Sequence, residues 1–237
     1  MSEFAVEVPT IAAPLGRIRQ AAYVVKNLEQ AMHFWRTERG VESFIVARDA
    51  KPLTNASYRG AKNHSVIIDL AFGYLGDLQI ELIELKHATA SIYQEALDRN
   101  QVELQHYGVV VEDFDRAYQF ALDHGFLAVV DSGIDGIARM SYVEAGDCER
   151  NVFSASQGAF MKTPEGHPIM LELIEWNSMT RPYFDKIQAM VKAVPEDRLF
   201  VEFSLHSLTP VAELIKRLVM LLWNKSIGSN HQSVTIN

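Results

Sequence analysis

Thiol chemistry is almost absent from this chain. Its one cysteine, Cys148, excludes an intramolecular disulfide and fits a reducing compartment. The surrounding Gly-Asp-Cys-Glu-Arg run puts acids beside the sulfur, which raises a thiol pKa and argues against a nucleophile. Basic clusters are missing too. Lys and Arg number 22 against 30 Asp and Glu, a formal charge of −8, and no Lys/Arg-rich run stands out. Nucleic acid is therefore excluded as a main partner, because phosphate backbones demand a basic surface. Long hydrophobic runs are also lacking. The longest, Leu218 to Trp223, falls far short of the ~20 residues a membrane-spanning helix requires, so no membrane partner is expected. The first residues carry neither the basic segment nor the apolar core of a secretory leader, and a cytoplasmic location is expected.

What is present is a repetition. Gln20-Ala-Ala-Tyr-Val-Val-Lys-Asn-Leu28 recurs as His106-Tyr-Gly-Val-Val-Val-Glu-Asp-Phe114, an offset of 106 − 20 = 86. Ile80-Glu-Leu-Ile-Glu84 recurs as Leu171-Glu-Leu-Ile-Glu175, an offset of 172 − 81 = 91. A residue with ligand chemistry begins each copy, and a carboxylate inside an apolar strand closes it. That is a metal-site pattern. With 237 residues, 48% apolar and 22% charged, the chain can bury one large core or two small ones.

The local signals follow the same doubling. After an arm over residues 1–16, β-branched residues predict a strand from Arg17 to Val25. Asn27 is an N-cap, and Leu28, Ala31, Met32 and Trp35 follow at helical spacing until Arg39-Gly40. Strands are expected over Val41 to Ala47, Ser65 to Phe72 and Asp77 to Leu85, with a loop from Lys51 to Asn63. Ser91 to Leu97 reads as a linking helix. The second unit repeats the order: a strand over Leu104 to Val111, the Asp113 cap, and a helix ending at His124-Gly125. Strands then run near Phe126 to Asp131, Arg139 to Glu144, Gly158 to Lys162 and Ile169 to Trp176. The implied organisation is a first βαβββ module with its linker over 17–100, a second over 101–176, and a helical extension with a polar tail over 177–237. In that extension Pro182 to Val194 and Thr209 to Trp223 read as helices.

Paired βαβββ modules, Gln or His at the start of each, and the Ile/Leu-Glu-Leu near each end resemble the vicinal oxygen chelate superfamily of glyoxalases, bleomycin-resistance proteins, extradiol dioxygenases and methylmalonyl-CoA epimerases. Phe34-Trp35-Arg36 and the Ser91-Ile-Tyr linker are most similar to the epimerase-related branch. The resemblance spans Arg17 to Trp176 and implies an α+β fold in which the two modules form one curled mixed sheet around a single site. It implies metal ligands at Gln20, Glu81, His106 and Glu172. Two carboxylates, an imidazole and an amide oxygen suit a divalent ion such as zinc, nickel, cobalt, manganese or magnesium.

The function implied is a metal-dependent isomerase, epimerase or lyase acting on a small carbonyl or thioester substrate. It would work by metal-bound enolate chemistry and carboxylate proton transfer. Glu172 resembles the residue that is both ligand and base, and Asp69, an acid inside an apolar strand, matches the strand that carries a second base in epimerases. The alternatives are an extradiol-type ring-cleaving dioxygenase, disfavoured because Gln20 replaces the histidine that chemistry needs, and a metal-free small-molecule binding protein. A homodimer is expected.

Overall fold

An extended apolar strand opens each module, and a side-chain cap then turns the chain into a helix. The computed structural model describes residues 14–51, 56–87, 90–99, 104–134, 138–146 and 166–204. In it β1 (Arg17–Val25) leads to α1 (Leu28–Arg39), where Asn27 accepts a hydrogen bond from the Gln30 amide at 2.9 Å. Gly40 ends the helix in the left-handed region at φ 79°. Then come β2 (Phe44–Ala50), β3 (Ala56–Tyr58), β4 (Ala61–His64), β5 (Ile67–Leu75), β6 (Leu78–His87) and the linker helix α2 (Ile92–Asp98), capped by Ser91. The second module repeats the pattern with β7 (Leu104–Val111), α3 (Phe114–Asp123) capped by Asp113, β8 (Phe126–Ile134), β9 (Ala138–Ala145) and β10 (Met170–Glu175).

One mixed sheet holds both modules, with β11 (Phe200–Glu202) at one edge, in the order β11-β2-β5-β6-β1-β7-β10-β9-β8-β3-β4. The first and last strands of each module pair in parallel, β1 with β6 and β7 with β10. The two opening strands pair antiparallel with each other, so β1 against β7 is the seam that joins the modules within the chain. Helices α1 and α3 cover the outer face. Leu28 and Met32 pack on Ala71, Ile80 and Leu82, while Phe114, Ala117 and Ala121 pack on Val109, Leu171 and Leu173. Tyr107 bridges the two clusters.

Two features depart from the expected order. The stretch 51–63, expected as a loop, holds β3 and β4, and this hairpin pairs with β8 of the other module. Its polar composition hid the strands, and the turn between them carries an ion-pair network. Arg59 joins Glu95 of α2 and Glu144 of β9, each at 2.8 Å. The extension also rejoins the sheet. After α4 (Thr180–Lys192), β11 (Phe200–Glu202) pairs in parallel with β2, so residues through Phe203 form a single unit with the modules. The remainder, from Ser204, is a separate unit. Cys148, Phe153, the strand expected near 158–162 and the helix expected over Thr209 to Trp223 lie outside the described residues. None of the described helices is long and apolar enough to cross a membrane.

The seam depends on a glycine. Gly16 enters β1 at φ 75°, and a Cβ there would lie 2.0 Å from the Val110 carbonyl oxygen of β7. Backbone cannot yield as a flexible side chain does. Gly16→Ala should cost about 1–3 kcal/mol, seen as a lower urea midpoint with an unchanged slope. An unmoved midpoint would rule this account out.

Candidate metal centre

Registers across the seam bring the two repeat copies onto one row of the inner face. Ala22 of β1 lies between Glu81 of β6 and His106 of β7. Gly108 of β7 lies between Gln20 of β1 and Glu172 of β10. The two rows are related by the repeat: Gln20, Ala22 and Glu81 stand as His106, Gly108 and Glu172 do. Four residues distant in sequence thereby share a face, each nearly closed to solvent, with exposures of 4% for Gln20, 8% for Glu81, 0% for His106 and 6% for Glu172.

Two irregularities in the seam complete the arrangement. The pairing shifts between Ile18 and Gln20 and again between Ala22 and Tyr23, where Tyr23 meets Leu104 while Ala22 meets His106. Each shift inserts one residue, Arg19 on β1 and Gln105 on β7. A bulge of this kind turns two successive side chains to one face. Gln105 therefore reaches its own neighbour, and its Oε1 lies 2.5 Å from His106 Nδ1 while its Nε2 donates to Met170 Sδ at 3.4 Å. An amide oxygen at Nδ1 favours the proton there and turns Nε2 toward the site.

His106 Nε2 points between the carboxylates, 3.5 Å from Glu81 Oε2 and 3.4 Å from Glu172 Oε2. It is fully buried and makes no hydrogen bond. Burial works against a charged imidazole, but Glu172 and Glu81 outweigh it and push the His106 pKa up to about 9. Burial also holds Glu81 above the usual carboxylate range, with His106 opposing that shift and Glu172 adding to it. An orphaned nitrogen between two carboxylate oxygens is a donor set that a divalent cation satisfies and a single proton satisfies poorly. Among the described residues no group of three or more His, Cys, Asp and Glu side chains is already arranged to hold a metal ion. The residues fit a metal in type and direction, and would close on it by small side-chain movements.

Three tyrosines that the repeat does not announce enclose this group. The Tyr142 ring stands edge-on to His106 at 5.1 Å, and its hydroxyl is hydrogen-bonded to that of Tyr93 on α2. Tyr183 comes from α4, which packs on β5 and β2. Burial first, and then the two glutamates, raise all three phenols well above their ordinary range. They remain protonated donors at neutral pH. Tyr142 could have been found by strand parity, since it pairs directly with Glu172. Tyr183 lies beyond the repeat and had no sequence signal.

Asp69 is not brought to this group, and the expectation of a second base there is corrected. It pairs with Glu84, on the face opposite Glu81 and Phe72. Its carboxylate accepts from the Asp49 amide at 2.8 Å and from Arg48 at 3.0 Å, with Lys86 at 3.6 Å. Burial alone would raise its pKa, yet these partners hold it below the usual carboxylate value. Asp69 thus pins the irregular end of β2, where Asp49 has φ 48°. Arg139, at the start of β9, is bound to Asp115 and Glu175.

A profile of the Glyoxalase/Bleomycin resistance protein/Dioxygenase superfamily matches residues 19–143, more than half of the sequence. No curated protein matches. Solved structures that resemble it include a hypothetical protein from Bacillus halodurans C-125, at 12% identity and TM-score 0.42, covering 68% of this chain and 95% of that one. A methylmalonyl-CoA epimerase from Mycobacterium tuberculosis gives 14% and 0.43, covering 73% and 96%.

Two outcomes follow from this geometry. By NMR, His106 should stay protonated through neutral pH and titrate near 9. Its stabilising contribution is then complete below about 6.5, the ordinary value, and is lost as pH rises through about 9. Glu172→Gln should move that midpoint downward, and an unshifted midpoint would break the coupling. Asp69→Ala should cost about 1–3 kcal/mol in denaturant melts while leaving the His106 titration in place. Because the Asp69 pKa is depressed, that cost should shrink as pH falls through its folded value.

Proposed function

The chain belongs to the glyoxalase/bleomycin resistance protein/dioxygenase superfamily, and from that premise we propose that it is a metal-dependent isomerase, epimerase or lyase acting on a small carbonyl or thioester substrate. The observation that carries this reading is the buried His106 Nε2, without a hydrogen bond among the described residues and set between the Glu81 and Glu172 carboxylates. Glu81, His106 and Glu172 would hold the ion. Gln20 is the fourth candidate, its Oε1 lying where a Cβ on residue 108 would come within 2.5 Å, a space only glycine leaves open.

When bound, a divalent ion would supply Lewis acidity, lowering the pKa of a C–H beside a carbonyl. The protein's part is to accept and return that proton. Glu172 is the acceptor on the second module, and Glu81 is its counterpart across the repeat. The Tyr142, Tyr93 and Tyr183 hydroxyls, protonated at neutral pH, are suited to donate to oxygen atoms on which charge develops. Burial of the whole group excludes water that would quench a carbanion. A single imidazole in the donor set argues against a ring-cleaving iron enzyme, whose usual set is two imidazoles and one carboxylate.

Purified protein loaded with zinc, nickel, cobalt, manganese or magnesium should take up one ion per chain by elemental analysis, and His106→Ala should abolish uptake. Below pH 9 that uptake should release protons, since His106 must give up its own. Solvent deuterium should enter the α-carbon of accepted thioesters or 2-oxo compounds, and Glu172→Gln should reduce this exchange by about 10²–10⁴-fold. No uptake of any of the five metals would defeat the proposal.

A further inference from the structure

The β1 bulge that places Gln20 at the site also turns Arg19 onto the same face. Its guanidinium carbon lies 5.5 Å from the centre of the Trp176 ring. Trp176 continues the β10 ladder, its amide donating to the Val111 carbonyl at 2.8 Å, and by strand parity it faces the same side as Glu172. Tyr74 is on this face as well. It pairs with Gln79, which lies beside Gln20 in the register and donates to the Tyr74 hydroxyl at 2.7 Å.

Each of the other half-buried arginines among the described residues has an ion pair or a hydrogen bond, although Arg99 Nε makes no hydrogen bond. Arg48 binds Glu29, Asp69 and Glu202; Arg36 donates to the Glu196 and Arg198 carbonyls; Arg99 lies 3.6 Å from Glu95. Arg19 has no ion pair and no hydrogen bond among the described residues; it lies over Trp176 and interacts electrostatically with the Tyr74 hydroxyl, which Asp185 also reaches. Trp176 is itself fixed, by the Phe184 ring at 5.5 Å and by Arg181 at 5.6 Å. A guanidinium held over an aromatic ring can still offer its N–H edge, a two-pronged donor matched to an oxyanion. Removing an arginine from water without a counter-charge is costly, so an unpaired one beside a site is a vacancy for a ligand's charge.

We propose that Arg19 binds an oxyanion carried by the substrate, so that the accepted carbonyl or thioester compounds bear a carboxylate or phosphate away from the reacting carbon. This assignment rests on the metal reading above, because it treats Arg19 as the second anchor of a molecule held first at Glu81, His106 and Glu172. Arg19 is then a specificity-determining residue and takes no part in proton transfer.

The test is calorimetric titration of the zinc-loaded protein with four hydroxy acids. Glycolate offers only the vicinal oxygens; malate and 2-hydroxyglutarate add a carboxylate, and 3-phosphoglycerate adds a phosphate. At least one added anion should tighten binding about tenfold or more over glycolate, as a charge-assisted pair supplies. Arg19→Met should abolish that gain without weakening glycolate, and Arg19→Lys should keep part of it, which separates lost charge from lost folding. Which compound gains identifies carboxylate or phosphate as the source. Glycolate binding with no gain for any anion, or a gain that survives Arg19→Met, overturns the Arg19 assignment alone. Failure of glycolate itself to bind the zinc-loaded protein overturns the metal reading, and this proposal with it.

Discussion

Antiparallel pairing of β1 with β7 is the constraint on which the remaining geometry depends. Neither module by itself can bring a ligand from its opening strand opposite the carboxylate of the other copy. Once the seam forms, Gln20 meets Gly108 and Ala22 meets His106, and the parallel partners β6 and β10 deliver Glu81 and Glu172 on the same face. A shift of one residue along this seam would turn these side chains to the helix-covered face. The two bulges matter for the same reason. They let Gln105 steer the imidazole of His106 and let Arg19 reach the Trp176 side without breaking the ladder.

Around that seam, charge is the organising term. Two carboxylates and one imidazole are buried together, and burial opposes the charged form of each. Proximity reverses the outcome for His106, whose pKa rises to about 9, but not for Glu81, which is held above the ordinary range. A divalent cation would compete with the proton on His106 for this site. On the opposite face the same residue type has a different fate. Asp69 has an arginine, a lysine and a backbone amide, and its carboxylate is stabilised as an anion. Two acids on neighbouring strands thus serve different ends because of which side of the sheet each faces.

Additions outside the repeat adapt the paired modules. The β3–β4 hairpin leaves the first module to extend the second, tied down by the exposed ion network of Arg59. Individually such pairs are worth little, but the network and the strand pairing act together. Helix α4 contributes Tyr183 to the inner face, and β11 closes the free edge of β2. The edge that remains there is only three residues long, a short template for unwanted strand addition.

Much of this was legible without coordinates. The caps Asn27, Ser91 and Asp113, the glycine that stops α1, and the duplicated order of elements follow from local chemistry, and local chemistry is written in consecutive residues. Duplication also identified Gln20, Glu81, His106 and Glu172 as counterparts, because equal positions in two copies fold to equal places. Strand parity separated Glu84 from Glu81 in the same way. Tertiary structure decided what parity could not follow through a bulge or across a seam: that Asp69 faces the helices, that Arg19 and Gln105 face the site, and that tyrosines from α2, β9 and α4 converge there. Their positions depend on which strands pair and in what register. That choice is made by the burial of whole faces at once, and no short stretch of sequence encodes it.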